Sequence, residues 1–235
     1  RGYNIMGKYD IYKKQVFDCI MELVREGYVQ GTGGNVSLRV EGEDVVAVTP
    51  SQREYRGMTV DEICVVDFDL KPVVDNGLKP SMETGMHVAV YKSRADVGAV
   101  VHTHQIYASV FALLNQPIPA LFDEVSMTIG ALVEVVPYAL SGSPQLIENV
   151  KSKLGNRSNC YLLQNHGALA LGPDLAKAKR CAELLEKEAK VYCLALSTGK
   201  EVTILPQNIQ EMMGKIVAGK QDAEIKRKEE LKAKV

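Results

Sequence analysis

Two valine-rich runs, residues 36–40 (VSLRV) and 45–48 (VVAV), lie so close together that they restrict the fold more than any other feature of the chain. Only residues 41–44 separate them, with Gly42 in the gap. Parallel strands need a crossover of about a dozen residues or more, so these runs read as an antiparallel hairpin. Further strands are predicted at 63–68, 97–102, 134–138 and 160–163. Helical spacing of Val16, Ile20, Leu23 and Val24 predicts an amphipathic helix over 6–28, and further helices are expected at 84–94 and 106–114. Ser143-Pro144 offers a cap followed by proline at the first helical position, so a helix starts there. The longest helical pattern runs from 174 to 196 and is closed by Gly199, while Asp75-Asn76-Gly77 marks a turn. Strands and helices mix without a strict βαβ rhythm, which predicts a layered α/β or α+β domain with a partly antiparallel sheet.

Composition sets the class. At 235 residues, 46% hydrophobic and 24% charged, the chain is expected to form one globular domain. The formal net charge of -1 gives no basic field for nucleic acid. No apolar run approaches the ~18 residues of a spanning helix, and Arg1 to Tyr12 lack a signal-peptide core. Five cysteines, Cys19, Cys64, Cys160, Cys181 and Cys193, contain no C-x-x-C pair and read as reduced thiols of a cytoplasmic protein. Residues 1–220 are expected to be the domain and 221–235, mostly Lys, Glu and Ala, a charged tail that is solvated or frayed.

The four histidines carry the chemistry. His102-Thr103-His104 ends a predicted strand, and side chains two apart on a strand share a face. Two surface histidines would give the same pattern, but His166 also follows an apolar strand and precedes a glycine. Three imidazoles with Glu83 as a carboxylate form a sensible donor set for Zn²⁺ first, and also for Mn²⁺, Co²⁺ or Ni²⁺. His87, one helical turn after Glu83, reads as a supporting or core residue rather than a ligand. Gly33, Gly34 and Asn35 can present backbone N–H groups to an anion, although a plain glycine turn has the same composition.

Five ordered segments together resemble the class II aldolase/adducin family: residues 31–37 (GTGGNVS), 49–51 (TPS), 79–83 (KPSME), 100–104 (VVHTH) and 163–167 (LQNHG). The resemblance covers roughly residues 10–200. It implies a three-layer α/β/α fold around a largely antiparallel central sheet, in a homotetramer with active sites between subunits. It implies a metal held by His102, His104 and His166, with Glu83 as fourth ligand or catalytic base. It places Gly34, Asn35, Ser51 and Ser81 where the family binds a substrate phosphate, with Gln52 and Met82 departing from the family's usual residues beside them. Glu124, with Asp123 next, is the expected second proton-transfer group, in place of the aldolases' tyrosine. The implied activity is a divalent-metal lyase that cleaves a ketose phosphate or related sugar acid through a metal-stabilised enediolate. Epimerisation, dehydration or decarboxylation at the same centre is the alternative, and a non-enzymatic adducin-like interaction domain a remoter one.

Overall fold

The computed structural model of the protein describes residues 7–233. The helix start expected at residue 6 and the outermost parts of both termini lie outside the described residues. The first helix, α1, spans Asp10–Arg25 and buries Val16, Cys19, Ile20 and Leu23 on one face, the stripe its spacing predicts. Strands β1 (Asn35–Arg39) and β2 (Val45–Val48) form the expected hairpin, with Ser37 opposite Val48. Strands β3 (Cys64–Asp67) and β4 (Pro72–Val74) extend the sheet on that side. Helix α2 (Thr84–Ser93) leads into β5 (Ala99–Thr103), and α3 (Ile106–Leu114) leaves it. A short strand, β6 (Ile118–Pro119), pairs with β7 (Leu132–Val133) around α4 (Asp123–Ile129). Then follow β8 (Val135–Val136), α5 (Pro144–Lys153), β9 (Cys160–Leu163), β10 (Gly167–Gly172), α6 (Leu175–Ser197) and α7 (Gln207–Lys232).

Eight strands form the main sheet in the order β4-β3-β2-β1-β5-β10-β9-β8, and every pair is antiparallel except β8 with β9. Side chains alternate across it into two cores. Val36, Leu38, Ala99, Val101, Ala168 and Ala170 face α1, α3 and α6. Val46, Val48, Val100, Leu169 and Leu171 face α2 and α5. The result is the α/β/α sandwich that the family resemblance implies. The cysteines are free; four are buried and Cys193 is half-buried. Among the described residues no helix is long and apolar enough to cross a membrane.

The C-terminal boundary differs from the expectation. The division at residue 220 falls inside α7, which runs unbroken through it. Residues 221–233 are charged, but they are not merely solvated. Gln221 is buried, donates to the Arg157 carbonyl (2.8 Å) and accepts from Arg157 Nε (2.9 Å), while Lys228 donates to the Asp96 carbonyl (2.9 Å). A lysine stem with backbone acceptors in reach docks as well as it solvates.

Candidate metal centre

The register of the central strands assembles the site. Asn35 of β1 and Leu169 of β10 flank His102 of β5. By alternation His102 lies on the α2 side with Val100, and Thr103 lies on the other. His104 follows where the chain leaves the sheet, and His166 lies in the turn joining β9 to β10, where Asn165 takes a left-handed conformation (φ 55°). Glu83 sits at the N-cap position of α2 with its carboxylate turned into the protein. Backbone approach must be close here. Gly34 has φ 71°, and a Cβ on it would lie 2.7 Å from the His102 carbonyl oxygen.

One nitrogen from each of His102, His104 and His166 lies within 4.8 Å of the other two. Glu83 spans the group: Oε2 is 3.2 Å from His102 Nε2, and Oε1 is 3.2 Å from His166 Nε2. His104 Nε2 and His102 Nε2 are 3.0 Å apart. His102 Nδ1 lies 2.9 Å from the Ala168 carbonyl, so the ring proton belongs on Nδ1 and the lone pair on Nε2 points into the cluster. Burial pushes His102 down to about 4 and lowers His104 as well, which favours the neutral form in which imidazole ligates. Burial works against charge on Glu83, but His102, His166 and the Asn35 amide outweigh it and hold the carboxyl below its usual range. Glu83 is therefore a carboxylate. Its Oε1 is buried without a hydrogen-bond partner among the described residues. Lone pairs converging on one point, beside an orphaned buried oxygen, fit a divalent ion. At ~2.0–2.1 Å from each ligand atom, a tetrahedral ion sets its ligands roughly 3.3 Å apart, close to the separations here.

Beside the cluster lies a small polar cavity of about 160 Å³. Gly34, Asn35, Ser51 and Ser81 all line it, together with Glu83, His104 and His166. The two serine segments are tied by a bridge between Pro50 and Pro80 and by Ser51 N–H donating to the Lys79 carbonyl (2.8 Å). Asn35 does more than line the wall, since its Nδ2 donates to Glu83 Oε2 at 2.8 Å. Gly33 turns its N–H inward to the Gln30 carbonyl (2.9 Å), so it is not among the donors facing the cavity. Ser141 also lines the cavity, with Oγ 3.3 Å from His166 Nε2. The sequence analysis does not single it out; beside it only Ser143 is read, as a helix cap. His87 is fully buried; its Nδ1 bonds Ser37 Oγ (2.8 Å), and its Nε2 has no hydrogen-bond partner among the described residues.

The expected second acid is not in this cavity. Asp123 and Glu124 occupy the first turn of α4, whose Val125 and Ile129 pack in the core on the other side of the sheet. Glu124 is exposed and clamped by Arg180 (2.6 Å) and Lys187 (3.1 Å) of α6, which hold its carboxyl below the usual range. Two adjacent acids in sequence do not reveal which layer their helix joins; the apolar positions after them decided it.

Fold and donor set together define the class: an α/β/α domain built around a divalent-metal centre with an adjoining polar cavity. Residues 14–193 match the Class II Aldolase and Adducin N-terminal domain, and the chain belongs to that family. It is a metal-dependent enzyme of the class II aldolase type. It is 36% identical over 192 residues to the L-fuculose phosphate aldolase of Escherichia coli O6:H1, covering 82% of this chain and 87% of that protein. It is 35% identical over 193 residues to the L-ribulose-5-phosphate 4-epimerase UlaF of Salmonella paratyphi C, covering 78% and 84%. A solved L-fuculose 1-phosphate aldolase superposes with a TM-score of 0.80 at 32% identity, covering 91% of this chain and 98% of that one.

Proposed function

We propose that the enzyme cleaves a ketose phosphate, or a related sugar acid, into two carbonyl fragments by a retro-aldol reaction. The observation that carries this is Glu83, a buried carboxylate bridging His102 and His166 at the wall of the cavity. His102, His104 and His166 hold the metal, with Glu83 as a fourth donor. The ion, Zn²⁺ before Mn²⁺, Co²⁺ or Ni²⁺, supplies a Lewis acid for the negative charge that develops on the substrate oxygens. In cleavage, a proton leaves the hydroxyl of the carbon that becomes the aldehyde, the carbon–carbon bond breaks, and a proton returns to the carbon that keeps the electron pair. Glu83 handles the proton at that carbon, held in place by the Asn35 amide (2.8 Å). Gly34, Asn35, Ser51 and Ser81 anchor the anionic end of the substrate.

A homotetramer with active sites between subunits belongs to the same reading. Exposed apolar side chains on α3 and α6, among them Ile106, Leu113, Leu114 and Leu194, support a surface that subunit contact covers. Contact between copies is also the route by which Asp123 or Glu124 reaches a neighbouring cavity. The reduced cysteines support a cytoplasmic location. Epimerisation is the second reading, favoured by the similarity to UlaF.

The test is to assay a panel of ketose phosphates and sugar acids for aldehyde release and for epimer formation. Aldehyde release is expected, with Glu83→Gln losing about 10²–10⁴-fold in kcat while retaining the metal. Epimer formation without cleavage selects the second reading, and a fully active Glu83→Gln removes Glu83 from the proton transfer.

A further inference from the structure

The histidines are held from one side by a support that faces away from the cavity. Thr103 lies between the two β5 histidines and points to the opposite face, toward α6. Its hydroxyl donates to Gln105 Oε1, and the Gln105 amide donates to the Ala182 carbonyl of α6 (2.6 Å). Gln105 is buried. One turn along α6, Glu186 accepts two backbone N–H groups with its two oxygens, from Tyr107 and Ala108, each at 3.0 Å. These are first-turn donors of α3, and Gln105, the N-cap residue, makes no side-chain cap of its own. A further turn on, Lys190 Nζ lies 5.5 Å from the centre of the Tyr107 ring. The chain from Thr103 to Ala108 is therefore fastened to α6 at positions 182, 186 and 190, on the same helix face. His104 lies inside that fastened stretch, and His102 immediately before it.

We propose that Glu186 is a positioning residue for the metal centre: by capping α3 from α6 it fixes the turn that aims His104 and, with it, the His102–His104 pair. The inference rests on the metal reading above. A carboxylate accepting both N–H groups satisfies donors that would otherwise be orphaned and pins the helix start in one place. A ligand pair pinned before metal arrives loses less freedom on binding, so the effect is on metal affinity rather than on the chemistry.

The experiment measures Co²⁺ and Zn²⁺ affinity of the full chain by competition with a chelator, and records the Co²⁺ absorption spectrum. Glu186→Ala is expected to bind both ions ~10–100-fold more weakly, the range typical of groups that orient metal ligands, and to show an altered Co²⁺ spectrum. Glu186→Gln keeps one acceptor oxygen and is expected to lose less. Asp174→Ala is the structural control. It removes the N-cap of the same helix, where Asp174 Oδ1 accepts from Lys177 N–H (2.7 Å), and leaves the 103–108 turn untouched. It should lower Tm with metal affinity unchanged within twofold. Wild-type affinity in Glu186→Ala, or an equal loss in Asp174→Ala, overturns the proposal. His102→Ala separates the two levels: if it still binds metal as tightly as wild type, the metal reading itself fails.

Discussion

Gly167 is the residue on which the histidine cluster leans most closely. A Cβ there would lie 2.4 Å from the Thr103 carbonyl oxygen, 2.7 Å from His104 Cδ2 and 3.3 Å from His102 Cε1. The first contact is with backbone, which cannot swing aside. Gly167→Ala is therefore expected to push the end of β5 and the His104 ring outward, costing about 1–3 kcal/mol of stability and weakening metal binding. Calorimetry with a chelator titration checks this; wild-type Tm and affinity would show that β10 can give way. Gly155→Ala, where nothing lies within 4 Å, is the tolerant comparison. At this scale the sequence is most informative for the histidine cluster. Imidazoles two apart on a strand share a face whatever surrounds them, so His102 could be read from local geometry, and His166 from the strand end and its glycine. Ser141 could not, because a serine in a turn carries no local sign that a distant loop will meet it. The setting of Glu124 is equally invisible to local reading, since its partners Arg180 and Lys187 lie far along the chain.

Among the elements, those with strong local signals were legible. The hairpin of β1 and β2 follows from its short gap, and α5 from its serine cap and proline, with Ser143 Oγ accepting the Leu146 N–H at 3.2 Å. Strand β10 was missed because its sequence, GALALG, has poor strand propensity; pairing with β5 on one side and β9 on the other overrides that. Helix α7 is only partly legible: the charged stretch from 221 reads as a solvated helix or frayed end, and 207–220 carries no clear signal. It contains Gly214 and Gly219, which weaken helical preference, and is kept by burying Met213 and Val217. Gly219 is exposed, helical and free of neighbours within 4 Å. Gly219→Ala should thus stabilise the protein by roughly 0.5–1 kcal/mol. Denaturant unfolding would register that gain, and a loss would mean that α7 needs the glycine for a contact of another kind.

The stability of the whole molecule responds to pH through two buried groups of opposite sign. Glu188 of α6 accepts the Leu121 N–H at 3.3 Å, and burial raises its carboxyl from 4.5 to about 7. A raised folded value means that its contribution is complete below pH 4.5 and is lost as the pH climbs to about 7. His87 works the other way. Burial pushes it from 6.5 down to about 3, so its contribution is complete above pH 6.5 and disappears as the pH falls toward 3. Removing the first effect with Glu188→Gln should raise stability relative to wild type as the pH goes from 4.5 to 7, by on the order of 3 kcal/mol at most. Parallel denaturant curves at pH 5 and pH 8 measure it, and a difference between the two proteins that does not change with pH would count against the raised value.

The position of β5 at the middle of the sheet also governs the order in which the molecule comes into being. Its neighbours β1 and β10 come from well before and well after it in the chain. During synthesis His102 and His104 leave the ribosome long before His166 and β10, so the complete histidine cluster is among the last parts of the sheet to exist. Binding of an ion by all three histidines therefore follows the closure of these long loops, unlike in small zinc domains whose ligands are neighbours in sequence. Topologies of this kind close slowly, and a ligand that binds only the closed structure slows its opening rather than hastening its formation.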